Sequence, residues 1–241
     1  MYFGSRGVVG LVKPTHRPGT LENFIRLMPE GVGVIPTHVG ISAGTEEEFL
    51  QVLATIERKV ANIVTRGVDV VVIAGAPPTA LRGGGADYAL AKMLEERHGI
   101  PVLTATMAQI EAFRALGIHR LAGITYFGDA LNEKFATFFR ESGFEVAAMR
   151  GYNNVAFGEV QKIPPEEIYA LARRTFFESE GADGVYMLGA GWNTMPVVQM
   201  LEEDLRVPVV SSIPAQVWAT QKRLRIRAPV AGYGRLLAEM P

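Results

Sequence analysis

Gly67-Val68-Asp69-Val70-Val71-Val72-Ile73-Ala74-Gly75 and Gly181-Ala182-Asp183-Gly184-Val185-Tyr186-Met187-Leu188-Gly189 lie 114 residues apart and share one pattern: glycine, an aspartate two residues on, an apolar run and a closing glycine. Neither run shows the polar alternation of a strand with one wet face. Both sides are therefore buried, as in a parallel sheet covered by helices. Two more segments recur at similar spacing. Gly10-Leu11-Val12-Lys13-Pro14 lies over Gly123-Ile124-Thr125-Tyr126-Phe127 at 113 residues, and Ile100-Pro101-Val102-Leu103-Thr104 over Val207-Pro208-Val209-Val210-Ser211 at 107. A period this long is no solenoid and implies two similar lobes.

Outward from these segments, strands are expected at 7–12, 31–35, 68–74, 101–104, 120–126, 144–149, 183–188 and 207–211, with amphipathic stretches between them. The capping box Thr45-Glu46-Glu47-Glu48 opens a helix to about Arg66, and Pro164-Pro165-Glu166-Glu167 marks another first turn. The expected fold is α/β: two pseudo-symmetric flavodoxin-like lobes, each a parallel sheet with helices on both faces. The boundary is placed near Gly117, giving lobes 1–117 and 118–227, with a tail, 228–241, that can return to the first. Ligands of open α/β sheets bind beyond the carboxyl ends of the strands. One site is thus expected in the cleft, lined by the matched loops 13–19 and 126–129, 75–85 and 189–194.

Composition narrows the function. The 241 residues carry 24 Lys and Arg against 25 Asp and Glu, 48% hydrophobic residues and no cysteine. Near-neutral charge without a basic face argues against nucleic acid. The lack of cysteine excludes disulfides, thiolate metal sites and thiol nucleophiles. The four histidines, His16, His38, His98 and His119, are dispersed, so no metal is expected. No apolar run approaches the ~20 residues of a membrane span, and the N-terminus lacks signal-peptide features, so a cytoplasmic protein is expected. Gly40-Ile41-Ser42-Ala43-Gly44 has nucleophile-elbow spacing but reads as a loop before the Thr45 cap. Gly83-Gly84-Gly85 lacks the spacing or lysine of a nucleotide loop.

A collinear set of segments adds a family. It comprises Arg114-Ala115-Leu116-Gly117-Ile118-His119-Arg120, Thr125 with Asn132-Glu133, Val207-Pro208-Val209-Val210-Ser211-Ser212 and Gly232-Tyr233-Gly234-Arg235-Leu236. With Gly10-Leu11-Val12-Lys13-Pro14 and the turn Leu27-Met28-Pro29-Glu30-Gly31-Val32, it resembles the aspartate/glutamate racemase superfamily, in its arylmalonate decarboxylase and maleate isomerase branch. The resemblance runs nearly end to end. In the racemases and maleate isomerases a cysteine follows the equivalent strand of each lobe, and arylmalonate decarboxylases keep only the second. Here the two positions are Gly75 and Gly189. Two-base racemisation is therefore disfavoured, and thiolate addition to a double bond is excluded.

The resemblance implies an anion hole in the loop after the third strand, where the backbone of Gly75 and Ala76 can cradle a carboxylate or enediolate. Gly189, Ala190 and Gly191 form the matching turn, with Trp192 as an apolar wall and Asn193 or Thr194 as a helix cap. Lys13 ends a buried strand where Tyr126 ends its counterpart, and desolvation lowers a lysine pKa toward the range of proton transfer. A tyrosine sits near this place in the decarboxylases, matched here by Tyr126 or Phe127. His16 can move a proton and Arg17 can grip a carboxylate in the loop that follows Pro14. Thr125 and Asn132 complete the candidates. Each has a plain alternative: a snorkelling Lys13, a packed Tyr126 or Trp192, a solvated 14–19 loop.

The expected function is a cofactor-independent lyase, a decarboxylase of a small malonate-type or related carboxylate, with Lys13, Tyr126 or His16 as non-thiol proton donor, in that order. A cis-trans isomerase or hydratase of small dicarboxylates, and a non-catalytic carboxylate-binding protein, stay open, as does a homo-oligomer. Gly189→Cys is expected to create or enhance arylmalonate decarboxylation.

Overall fold

A computed structural model describes residues 2–241. The first half runs β1 (Val8–Lys13), α1 (Thr20–Leu27), β2 (Gly33–His38), α2 (Glu46–Gln51), α3 (Leu53–Val64), β3 (Val70–Ile73), the one-turn α4 (Pro77–Ala80), α5 (Ala86–His98), β4 (Val102–Thr104) and α6 (Ala105–Ala115). The second runs β5 (Arg120–Ile124), α7 (Asp129–Glu141), β6 (Glu145–Arg150), α8 (Pro165–Phe177), β7 (Gly184–Met187), α9 (Val198–Leu205), β8 (Val209–Ser211) and α10 (Ser212–Arg223), and α11 (Arg235–Glu239) closes the chain. The strands form two parallel sheets in matching order, β2-β1-β3-β4 and β6-β5-β7-β8. The inner strands supply the core: Val9, Leu11, Val12 and Val70 through Ile73 are all at most 2% exposed. Each such side chain contributes about 1.5–3 kcal/mol on burial.

The strand register corrects one alignment. Val12 pairs with Ile73 and Ile124 with Met187. Because Ile73 and Met187 are equivalent, Lys13 matches Thr125 and Pro14 matches Tyr126, one residue off the 113-residue alignment. The two repeat aspartates show why the register holds. Asp69 accepts from the Val8 N–H at 2.7 Å, and Asp183 from the Arg120 N–H at 2.8 Å. Each fixes the start of its neighbouring strand.

Element ends differ from expectation where local chemistry intervenes. β5 stops at Ile124 because the Thr125 hydroxyl accepts from the Phe127 N–H at 2.8 Å and turns the chain. β2 extends through Pro36, which an edge strand tolerates. The expected helix to Arg66 breaks at Val52 into α2 and α3. Thr45 does cap it, accepting from the Glu48 N–H at 3.3 Å. The Glu48 carboxylate also collects the N–H groups of Ser42, Ala43 and Gly44, so Ser42 belongs to a cap rather than to a nucleophile elbow.

Each half sends its last helix to the other's sheet. α10 packs on α6 and touches β3 and β4, while α6 touches β8. Every residue of α10 from Ser212 to Gln221 is buried, the mark of a helix surrounded by protein. The tail from 228 is held by α9 and α10: Gln221 exchanges hydrogen bonds with Ala228, Gln199 accepts from the Gly234 N–H, and Glu202 accepts from the Arg235 N–H at 2.7 Å. Glu202 also accepts from the Val209 N–H at 2.9 Å, as its repeat partner Glu95 does from Val102 at 2.8 Å. Burial raises the Glu202 pKa against the pull of these donors.

Glu202→Ala is expected to cost about 2–4 kcal/mol, because it strands the Val209 and Arg235 donors, one at a buried strand and one at the tail. Glu95→Ala, which loses one donor pair, is expected to cost about 1 kcal/mol. Urea unfolding of the two variants checks the difference.

Candidate active site

The carboxyl ends of β1, β3, β5 and β7 converge on a narrow cavity. Pro14, Thr15, Arg17 and Thr20 line it after β1, and Gly75, Ala76 and Pro77 after β3. Tyr126 and Phe127 line it after β5, Gly189, Ala190 and Gly191 after β7, and Phe49 and Phe157 close the sides. The free space is ≈ 30 Å³, room for one or two water-sized groups. An open groove of ≈ 730 Å³ adjoins it across Ala190 and Gly191.

Two glycines shape the interior. Gly75 has φ +94° and Gly189 φ +99°, a region side chains rarely enter. A Cβ on Gly75 would lie 2.9 Å from Cγ of Pro14. One on Gly189 would lie 2.4 Å from Cε1 of Tyr126 and 2.9 Å from its Oη. The register makes Pro14 and Tyr126 equivalent, and both rings occupy the space that a side chain after β3 or β7 would take. In the second half that ring ends in a hydroxyl.

Tyr126 is only 8% exposed. Phe127 lies 4.5 Å from its ring centroid, and Trp192 meets it edge-on at 5.5 Å. Burial pushes its phenol up to about 12, although the Arg17 charge and the Gly191 N–H both favour the phenolate. Tyr126 is thus a neutral acid at ordinary pH. Arg17 donates from Nη1 to the Phe157 carbonyl and lies 3.9 Å from that ring's centroid. Burial lowers the Arg17 pKa, yet a guanidinium keeps its charge. It bridges the loop after β1 to a 3₁₀ turn, Phe157–Lys162, of the second half.

The backbone donors are unequal. The Gly189 N–H is taken by the Ser212 hydroxyl at 2.8 Å. Ala105 stands at the matching place in the first half, and among the described residues nothing accepts from the N–H groups of Gly75 and Ala76. The Ala190 N–H likewise has no acceptor among the described residues, so free donors flank the cavity on both halves, while the phenol lies on the second.

Several expected site residues lie elsewhere. Lys13 is buried, but its ammonium donates to the Arg17 carbonyl at 3.1 Å and does not line the cavity. Burial lowers its pKa while nearby Glu22 raises it. His16 is exposed and stacks on His38 at 4.4 Å, outside the cavity. Thr125 donates to Asn132 at 2.6 Å, and the Asn132 amide donates to the Phe127 carbonyl at 2.9 Å. Both side chains are spent on the turn that aims Tyr126. Trp192 backs Tyr126 and donates from Nε1 to the Gly189 carbonyl at 3.1 Å. Asn193 is exposed, and the Thr194 hydroxyl pairs with Ser211 at 2.6 Å, so neither side chain caps a helix.

Pro14, Arg17, Gly75, Ala76, Tyr126, Gly189, Ala190 and Gly191 do come together. Thr15, Pro77 and Phe127 fall within the loops expected to line the cleft, but sequence reasoning missed Thr20, Phe49 and Phe157 as cavity walls. Phe157 carried a faint signal as the one aromatic ring in the irregular stretch Asn153-Asn154-Val155-Ala156-Phe157-Gly158.

Two parallel-sheet halves closed on an aromatic cavity, with free backbone donors and a buried phenol facing it, define a two-lobe α/β cleft enzyme. Residues 9–237 match the arylmalonate decarboxylase family, and the chain belongs to it. Arylmalonate decarboxylase of Bordetella bronchiseptica is 27% identical over 240 residues, covering 99% of this chain and 100% of that protein. Maleate isomerase of Nocardia farcinica is 29% identical over 138 residues, 57% of this chain and 55% of the isomerase. A doubly substituted arylmalonate decarboxylase, solved in its liganded form, superposes with TM-score 0.89 at 25% identity, covering 96% of this chain and 98% of the other.

Gly189→Cys alone is expected to cost roughly 2–4 kcal/mol, from positive-φ strain and collision with the Tyr126 ring. Combined with Tyr126→Ala, it should cost less than the sum of the single losses, read from urea midpoints. The raised phenol pKa carries a pH signature. The stability it contributes is whole below pH 10 and falls as pH rises toward about 12. Tyr126→Phe should flatten that decline by on the order of 2 kcal/mol, measured as unfolding free energy across the alkaline range.

Proposed function

We propose that the protein is a cofactor-independent decarboxylase of a malonate-type acid in which the Tyr126 phenol supplies the proton. The carrying observation is its position: the Tyr126 oxygen lies 2.9 Å from where a residue-189 Cβ would stand and 3.0 Å from that of residue 191. The phenol thus fills the place where the decarboxylases of the family resemblance hold their thiol.

The chemistry follows from the cavity. The aromatic walls of Phe49, Phe127 and Phe157 solvate a carboxylate poorly, which favours loss of its charge as CO₂. Breaking the C–C bond leaves its electron pair on the α-carbon and the remaining carboxylate as an enediolate. The free N–H groups of Gly75 and Ala76 stabilise that anion. Tyr126 then gives its proton to the α-carbon, the phenolate is held beside Arg17, and solvent returns the proton. The net change is a malonate plus one proton going to a monocarboxylate and CO₂. With ≈ 30 Å³ inside, substrate entry requires the Arg17 contact with Phe157 to part.

Proton NMR in D₂O with methylmalonate, phenylmalonate and maleate tests the reading. One malonate should yield its monocarboxylate with one deuterium at the α-carbon. Tyr126→Phe should lower kcat by 10²-fold or more with a small change in KM, the usual scale for a lost general acid. A folded Tyr126→Phe protein at full rate would remove the phenol from the mechanism. Fumarate from maleate would make the protein an isomerase, and no covalent change in any substrate would leave a binding protein.

A further inference from the structure

Once the Arg17–Phe157 contact parts to admit the reacting malonate carbons, the larger space beside them for a substituent is the open groove that shares Ala190 and Gly191 with the cavity. That groove differs in chemistry from the aromatic cavity. Trp192 and Tyr233 contribute rings, but Asn23, Gln161 and Asn193 line it with amides, and Arg26 with a guanidinium. Among the described residues Arg26 has neither an ion pair nor a side-chain hydrogen bond. The other charge on this wall, Glu22, is engaged: its carboxylate accepts from the Gly19 N–H at 2.7 Å, and its own backbone N–H, that bond and the Lys13 charge hold its pKa down.

Helix α1 connects the two spaces. Thr20 lines the cavity, donating its hydroxyl to the Ala190 carbonyl at 3.0 Å, and Arg26 lines the groove six residues later. Six residues of helix span about 9 Å. Helical side chains lean toward the N-terminus, so Arg26 leans back along α1 over Glu22 and Asn23, which line the same groove.

Resting on the decarboxylase reading, we propose that the groove is a substituent subsite in which Arg26 binds an anionic end group, making the substrate a malonate whose side chain carries a further carboxylate a few carbons from the reacting centre. Asn23 and Asn193 offer amide contacts along the way, and a bare aryl ring makes no use of the exposed Arg26 guanidinium.

The test compares 2-carboxyethylmalonate, methylmalonate and phenylmalonate as substrates for wild type, Arg26→Gln and Arg26→Lys. Wild type should favour 2-carboxyethylmalonate over phenylmalonate by at least tenfold in kcat/KM. Arg26→Gln should lower kcat/KM for 2-carboxyethylmalonate at least tenfold more than for methylmalonate, through KM, and Arg26→Lys should recover part of that loss. Equal losses on both substrates, or a wild-type preference for phenylmalonate, would overturn the subsite. Calorimetric titration with 2-carboxyethylmalonate separates the two readings. Binding weakened by Arg26→Gln without turnover of any malonate would keep the subsite and remove the decarboxylase; binding indifferent to Arg26 would remove the subsite alone.

Discussion

Contact between the Tyr126 ring and the bare Cα of Gly189 organises the site. A ring can press there only because residue 189 has no side chain and adopts φ +99°. The contact is braced from every direction. Thr125 and Asn132 lock the turn that delivers the ring, Trp192 meets its edge and bonds the Gly189 carbonyl, and Ser212 holds the Gly189 N–H. The result is a phenol denied water but set beside a guanidinium. Its proton stays in place at neutral pH, and the conjugate base has a countercharge when that proton leaves.

Internal symmetry supplies the framework, and departures from it supply the chemistry. The sheets share strand order, and Glu95 and Glu202 bind equivalent strands. Pro14 fills the first half's space without a polar atom, where Tyr126 brings a hydroxyl to the second. Ala105 leaves the Gly75 N–H open, where Ser212 closes that of Gly189. Two departures within one repeated frame thus set a phenol against Gly189 and leave the Gly75 N–H open.

Much of this was legible in the sequence, because buried parallel strands write themselves as apolar runs bounded by glycine. The repeat of 67–75 at 181–189 placed both sheets and both site turns. What the residues could not convey was direction. A lysine and a threonine at equivalent strand ends look unrelated in sequence, so a one-residue slip paired Lys13 with Tyr126 and promoted Lys13 to a donor. A histidine in the right loop gives no hint that it stacks outward on His38. Phe49 and Phe157 reach the cavity from a helix face and an irregular turn, where no local periodicity marks the inner side.

The exchange of α6 and α10 between the halves restricts how such a cleft can breathe. Swinging the lobes apart as rigid bodies would pull α10 off β3 and β4 and uncover a helix buried from Ser212 to Gln221. Surface loops carry no such penalty. The economical motion is a shift of the segment bearing Arg17 against the turn bearing Phe157, two short pieces of chain moving over a scaffold stapled shut behind them. Breathing of this kind admits a ligand while leaving the spacing between the Gly75 and Ala76 amides and the Tyr126 hydroxyl untouched, so access and alignment are controlled by different parts of the molecule.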